Sequence, residues 1–185
     1  MKLILASGSP RRKQLLSLLN IPFTIVVAYI VETIDNDKPL REEIEKLSYQ
    51  KAEAVFKDHQ DSVVVGSDTI VTLDNKVLGK PHDKQEAWEM LKLLQNNKHT
   101  VITAVTILSE TKKETFSVVS DVYFYPMSDK EIDEYIDTNE PMDKAGAYAI
   151  QGIGSKFIKR IDGDYHAIMG LPIGELYHKL KRFKK

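Results

Sequence analysis

Residues 63–81 read VVVGSDTIVTLDNKVLGKP. The β-branched run 63–73 predicts a long strand, Asp74 and Asn75 predict a turn, and Val77-Leu78 predicts a short return strand. This hairpin places an antiparallel pair in the middle of the chain. The segment therefore argues against an all-parallel sheet.

Strands and helices alternate before this segment, whereas paired strands dominate after it. The predicted strands are 2–6, 23–31, 63–73, 77–78, 100–108, 115–125, 157–161 and 165–169, the last two forming a hairpin. The predicted helices are 11–19, 40–57, 86–94, 129–136 and 173–183, with an irregular stretch at 139–154. This mixture predicts an α/β fold with a mixed sheet.

The composition narrows the class of protein. The chain has 185 residues, enough for one domain or two lobes on a shared sheet, and its net charge of −1 favours neither nucleic acid nor an anionic membrane as partner. It has no cysteine, which excludes disulfides, Cys-zinc sites and thiol catalysis. No stretch approaches the roughly 20 apolar residues of a membrane span, and the first apolar run is too short for a signal peptide. We expect a cytoplasmic protein.

Residues 7–12, SGSPRR, lie at a predicted helix start. Free backbone N–H groups and the helix dipole make such a turn an anion site. The hydroxyls of Ser7 and Ser9 and the guanidinium groups of Arg11 and Arg12 add phosphate-binding chemistry. The alternative is an ordinary capped helix with solvated arginines.

Two ionisable residues interrupt apolar patterns. Asp68 lies within the strand VVVGSDTIV, where a buried carboxylate needs a partner, a metal or a catalytic role; the alternative is an exposed Asp at a bulge or strand end. Lys51 lies in the apolar stripe of helix 40–57, where it either faces an anion or extends to the surface.

Glu32 and Lys80 complete the candidate set. Glu32 follows a predicted strand and could meet Asp68 at a shared metal, since two carboxylates suit Mg²⁺. Lys80 lies on a stiff turn between Gly79 and Pro81. Each of the two could instead be a solvated surface residue. The five histidines lack metal-ligand spacing, so zinc is not expected.

Motifs along the whole chain resemble the Maf family of nucleoside triphosphate pyrophosphatases, also called septum-formation inhibitors. These are, in order, LASGSPRR, Glu32, QKAEAV, GSDTIV, LGKP, TAV, EPMDKAGAYAIQG and GDYHAIMGLP. The resemblance implies a single domain, 1–185, with two lobes around a central cleft, folded like the inosine triphosphate pyrophosphatases as a long twisted mixed sheet flanked by helices. It also implies hydrolysis of a nucleoside triphosphate to the monophosphate and pyrophosphate with Mg²⁺ or Mn²⁺. Because members of the family often pair, a homodimer is an alternative to a monomer.

The resemblance also assigns roles to residues. Asp68 matches the catalytic acid, as general base or metal ligand, and Glu32 would be its metal partner. The positions that match the family's phosphate side are Ser9, Arg11, Arg12, Lys51 and Lys80.

Three residues indicate a branch of the family. Arg12, Thr69 and Gln151 resemble the branch that prefers dTTP, UTP and modified pyrimidine triphosphates. The Gln151 amide can donate to a uracil carbonyl and accept from N3–H. The alternatives are a 7-methyl-GTP pyrophosphatase of the same fold and a nucleotide-binding regulator of septum formation.

Overall fold

Seven strands form one mixed sheet in the structure, a computed structural model that describes residues 2–35 and 37–183. They are β1 (Leu3–Leu5), β2 (Phe23–Ile25), β3 (Val63–Leu73), β4 (Lys76–Leu78), β5 (Lys98–Leu108), β6 (Lys113–Phe124) and β7 (Ile158–Asp162). The spatial order is β2-β1-β3-β5-β6-β7, with β4 paired to β3 off this path. β1 is parallel to β2 and β3, whereas β4 and β7 pair antiparallel. The predicted mixed α/β sheet is confirmed.

The helices follow their local sequence signals. They are α1 (Pro10–Ser17), α2 (Leu40–Phe56), α3 (Lys84–Leu94), α4 (Asp129–Asp137), α5 (Tyr165–Met169) and α6 (Ile173–Leu180). Short 3₁₀ turns occupy Glu140–Asp143, Ala145–Ala147, Ile153–Phe157 and Lys181–Phe183. Ser128 and Glu131 form the predicted capping box at the start of α4. Within the described part of the chain, no helix is both long and apolar enough to cross a membrane.

The predicted strand 23–31 is wrong beyond residue 25. β2 pairs with β1, in the register Leu3↔Phe23 to Leu5↔Ile25, and the Val26 N–H still donates to the Leu5 carbonyl at 3.1 Å. Because β1 ends at Leu5, no strand among residues 2–35 and 37–183 pairs with the chain beyond Val26. Residues 26–35 are irregular although their composition favours a strand.

The predicted hairpin between 157–161 and 165–169 is also wrong. Residues 158–162 form β7, but Tyr165–Met169 is the short helix α5. The Asp164 carboxylate accepts hydrogen bonds from the backbone N–H groups of His166 and Ala167, at 2.7 and 3.1 Å. Such capping at the first turn favours a helix over a returning strand.

The chain divides into two compact units that share three strands. Unit 1 comprises Met1–Thr69, Thr103–Val118 and Gly170–Lys185; unit 2 comprises Ile70–Ile102 and Val119–Met169. β3, β5 and β6 each begin in one unit and end in the other.

In unit 1, α2 packs closely on β3. A small apolar cluster lies between them and β1; its buried members are Ile4, Ala6, Ala52, Val55, Val64 and Leu108. Gly66 allows the close approach, because a Cβ there would lie 2.3 Å from the Ser48 carbonyl oxygen and 2.6 Å from the Ala52 nitrogen. The contact fixes the helix that carries Lys51 against the strand that carries Asp68.

In unit 2, α3 and α4 pack against strand residues in a larger apolar core. Its fully buried members include Leu91, Leu94, Val122, Ile132 and Tyr135. Beside them, His99 Nε2 lies 2.8 Å from the Tyr148 hydroxyl, and both rings pack edge-on with Phe124.

Candidate active site

The turn between β1 and α1 has the predicted capping geometry. Ser9 is the N-cap of α1, and its Oγ accepts a hydrogen bond from the Arg12 backbone N–H at 3.4 Å. Pro10 occupies the first helical position. The buried Ser7 hydroxyl accepts from the Ser9 N–H at 3.2 Å, which ties the turn together.

The side chain of Arg12 is held in place rather than solvated. Its Nη1 donates to Ser7 Oγ at 3.3 Å, its Nη2 to Thr69 Oγ1 at 3.2 Å and its Nε to the Gly170 carbonyl at 3.0 Å. Burial lowers the pKa of Arg12, an effect that the nearby Asp68 carboxylate opposes. An arginine with three polar partners is a preorganised cation, which overturns the alternative of a solvated Arg12.

Lys51 joins the two predicted carboxylates. Its Nζ lies 2.7 Å from Asp68 Oδ1 and 2.9 Å from Glu32 Oε1. The Lys51 and Asp68 side chains are only 9% and 11% exposed, whereas the Glu32 side chain is 53% exposed. Lys51 is therefore an inward lysine that faces anions, and Asp68 is a buried strand residue with a cationic partner. Arg12 Nη2 approaches the same Asp68 oxygen at 4.0 Å.

The hydroxyl groups of Ser67, Thr69 and Thr103, near Arg12, also have polar partners. Ser67 Oγ donates to the Gly170 carbonyl at 3.0 Å, and Thr69 Oγ1 lies 2.9 Å from Thr103 Oγ1. Gly170 has a φ of +118°, a conformation that favours glycine, and its missing Cβ would lie 3.4 Å from Arg12 Nε. Thr103 and Gly170 lie in the motifs TAV and GDYHAIMGLP but had no predicted role, because their contacts depend on residues distant in sequence.

The carboxylate pair fits a hard divalent cation. Asp68 and Glu32 approach the same Lys51 ammonium group, so both acids lie at one place, and carboxylate oxygens are ligands that Mg²⁺ prefers. Over residues 2–35 and 37–183, no group of three or more His, Cys, Asp or Glu side chains is arranged to hold a metal. Two carboxylates suit Mg²⁺, which usually keeps several waters and substrate phosphates as its other ligands.

A family model and curated relatives match nearly the whole chain. A family model described as Maf-like protein matches residues 2–183. The chain belongs to the Maf family. Curated relatives named dTTP/UTP pyrophosphatase come from Bacillus velezensis, at 48% identity, and Bacillus cytotoxicus, at 50%. Each alignment covers 98% of this chain and 95–96% of the relative.

Several Maf motif residues of unit 1 are in contact with one another. The contacts of Arg12 and Lys51 connect the N-terminal turn, α2 and β3. Arg11 follows Pro10 in α1 and is half-buried.

Two predicted Maf site residues belong to unit 2. Lys80 follows β4 and is exposed, and Gln151 is exposed in a turn between Ile150 and Gly152. Their contacts with a triphosphate stay predictions.

Proposed function

We propose that this chain is a cytoplasmic pyrophosphatase that hydrolyses dTTP, UTP and related modified pyrimidine triphosphates to the monophosphate and pyrophosphate. The observation that carries the proposal is the buried Asp68 carboxylate beside two fixed cations, Arg12 and Lys51. Fixed cations suit the phosphates of a triphosphate, and an acid among them suits proton transfer from water. The relatives named for dTTP and UTP support the pyrimidine preference.

The start of α1 would bind phosphate oxygens. The Ser9 cap and Pro10 leave the first turn of α1 as a helix N-terminus that favours anions. Arg12 is already oriented by Ser7, Thr69 and Gly170, so it loses little side-chain entropy when it binds a phosphate. Arg11 would add a second guanidinium to the same turn.

Asp68 and Glu32 would hold Mg²⁺ or Mn²⁺. The bound ion supplies Lewis-acid polarisation of the phosphate and lowers the pKa of bound water. The contacts of Asp68 with Lys51, at 2.7 Å, and with Arg12, at 4.0 Å, are made by Oδ1. Oδ2 is the oxygen that we propose for the reaction.

The chemical step is an in-line attack of water on the α-phosphorus. A new P–O bond forms, the bond to the β-phosphate bridging oxygen breaks, and pyrophosphate leaves. Asp68 accepts the proton of the attacking water. Lys51 and Arg12 neutralise the negative charge that grows on the departing pyrophosphate, a role also proposed for Lys80.

Base selection is assigned to Gln151. A carboxamide carries both a donor and an acceptor, which match the O4 or O2 carbonyl and the N3–H of uracil or thymine. Hydrogen-bonding sites discriminate strongly, because a mismatched base leaves a polar group unpaired.

The test is pyrophosphate release with Mg²⁺ from dTTP, UTP, CTP, GTP and 7-methyl-GTP, for wild type and Asp68→Asn. We expect dTTP and UTP to be the best substrates and Asp68→Asn to lower kcat at least about 100-fold. Asp61→Asn, an exposed aspartate of the same unit paired with Lys2, is the control and should keep wild-type turnover. Preferred hydrolysis of 7-methyl-GTP would reassign the substrate, whereas nucleotide binding without turnover would support a regulator. Full turnover in Asp68→Asn would refute the catalytic role.

For partners other than the nucleotide, the proposal rests on the sequence. The near-neutral net charge gives no electrostatic basis for nucleic-acid binding. Light scattering at several protein concentrations decides between the monomer and the homodimer.

A further inference from the structure

A single carboxylate in unit 2 fixes the turn that carries Gln151. Glu140 Oε1 accepts a hydrogen bond from the Ile153 backbone N–H at 2.9 Å, and Oε2 accepts one from the Gly154 N–H at 2.9 Å. Two consecutive loop amides are thus bound by the two oxygens of one side chain. Charge-assisted bonds of this kind are stronger than neutral ones.

The carboxylate is itself held from the α4 side. The Tyr135 hydroxyl donates to Glu140 Oε2 at 2.7 Å and accepts from the Ala149 N–H at 3.1 Å. Tyr135 is fully buried in the core of unit 2. The Tyr135–Glu140 pair therefore connects the rigid core to backbone groups on both sides of Gln151.

The two glycines after Gln151 leave room for this pair. A Cβ on Gly152 would lie 2.0 Å from Glu140 Oε1, and a Cβ on Gly154 would lie 2.5 Å from the Tyr135 hydroxyl oxygen. Relief of these contacts requires a shift of the loop, of the Glu140 carboxylate or of the Tyr135 hydroxyl. Glycine at both positions matches a loop packed directly onto Tyr135 and Glu140.

We propose that Glu140 is a positioning residue, which holds the Ile150–Gly154 turn so that Gln151 distinguishes uracil from cytosine; this rests on the function proposed above. The two bases exchange donor and acceptor at position 4 and at N3, so discrimination needs a reading group at a fixed place. A carboxamide rotated by 180° exchanges its donor and acceptor and pairs with cytosine, so a turn free to shift would let Gln151 read either base edge, whereas a fixed turn keeps its side chain in one orientation.

The test is the Glu140→Gln variant. Glutamine keeps the size of the side chain, but its NH₂ group would face the N–H of Ile153 or Gly154, so one of the two amides loses its acceptor. The matched control is Glu131→Gln. Glu131 also accepts a backbone N–H, from Ser128 at 2.8 Å in the same unit, but it caps α4.

We measure calorimetric affinity for the α,β-methylene analogues of UTP and CTP with Mg²⁺, and amide exchange of the loop. In Glu140→Gln we expect the UTP-over-CTP affinity ratio to fall about tenfold and exchange at Ile153 and Gly154 to quicken, with the ratio unchanged in Glu131→Gln. Tyr135→Phe, which removes one bond to the carboxylate, should lower the ratio less; it keeps the test decisive if Glu140→Gln does not fold.

The outcomes separate the two proposals. A wild-type protein that does not favour the UTP analogue over the CTP analogue refutes the proposed preference for dTTP and UTP itself. A wild-type preference that Glu140→Gln retains, with only reduced stability or equally weakened binding of both analogues, overturns the positioning role alone.

Discussion

At the scale of single residues, the candidate site depends on ionisable groups held inside unit 1. Lys51 and Asp68 are both about nine-tenths buried, and their 2.7 Å contact offsets the cost of removing two charges from water. Arg12 adds a second cation at 4.0 Å, whereas Glu32 reaches Lys51 from a more exposed position. The polar contacts therefore serve stability and the proposed chemistry together, and substitutions can separate the two.

Lys51→Met should lower both the stability and the turnover of the protein, for different reasons. It leaves the buried Asp68 carboxylate without its nearest partner, which we expect to lower the free energy of unfolding by about 3 kcal/mol, with Arg12 limiting the loss. The double variant Lys51→Met/Asp68→Asn removes the unpaired charge and should regain most of the stability while remaining inactive. Urea unfolding and pyrophosphate release measure the two quantities. A double variant as unstable as the single one would show that Lys51 acts through packing instead.

His99 should make stability depend on pH. Burial lowers the pKa of His99 to about 4, an effect partly opposed by Asp121. The unfolded chain binds a proton near pH 6.5 and the folded chain only near pH 4, so the stability present above pH 6.5 is lost as the pH falls through this window. The loss approaches about 3 kcal/mol at pH 4.

The measurement is urea unfolding of wild type and His99→Gln between pH 7 and pH 4. The variant cannot titrate, so its stability should fall less steeply with acid. His82→Gln, an exposed histidine of the same unit, should keep the wild-type slope. Equal slopes for all three proteins would exclude His99 as a source of the pH dependence.

At the scale of elements, the geometry of the site depends on how α2 meets β3. The helix supplies Lys51 and the strand supplies Asp68, so their contact requires a fixed helix-to-strand distance. Gly66 sets that distance, because its missing side chain lets the backbone of α2 approach at Ser48 and Ala52. Helix propensity does not encode this spacing, which comes from packing.

Gly66→Ala should displace α2. The added Cβ would meet backbone atoms at 2.3 and 2.6 Å, so we expect a loss of about 2 kcal/mol or more in unfolding free energy and a lower kcat. Gly174→Ala is the control in the same unit. Its Cβ would meet nothing within 4 Å, and alanine in helix α6 should stabilise by about 0.5 kcal/mol. Thermal unfolding and turnover test both; a stable, active Gly66→Ala would refute the packing argument.

At the scale of the whole molecule, three continuous strands run through both units. β3, β5 and β6 cross the boundary, so loss of the sheet in one unit removes hydrogen-bonded neighbours along strands that continue into the other. Each unit has its own apolar core. Shared strands favour one cooperative unfolding transition over two independent ones.

A core substitution in unit 1 should therefore also lower the unfolding temperature of unit 2. Ile4→Ala opens a cavity in the unit 1 cluster and should lower Tm by about 5 to 10 °C. Trp88, the single tryptophan, packs against the unit 2 core and reports its unfolding by fluorescence. We expect fluorescence and far-UV circular dichroism to give the same lowered Tm. A Trp88 transition that stays at the wild-type temperature would show independent units.

Local signals predicted much of the fold. The capping residues Ser9 and Ser128, the turn at Asp74-Asn75 and the long apolar run of β3 act over a few neighbours, so their helices, hairpin and strand were recognised. The strand predicted at 23–31 failed because β-propensity cannot form a ladder where β1 has ended.

The sequence by itself determined the family, the mixed α/β class and the ionisable residues of the candidate site, because each follows from residue type and local spacing. Only the tertiary structure decided that Lys51 joins Asp68 to Glu32 and that the Gly170 carbonyl orients Arg12. It also decided that Glu140 binds the loop after Gln151. These contacts join segments far apart in the chain, and their distances follow from how the packed elements meet, which no local pattern specifies.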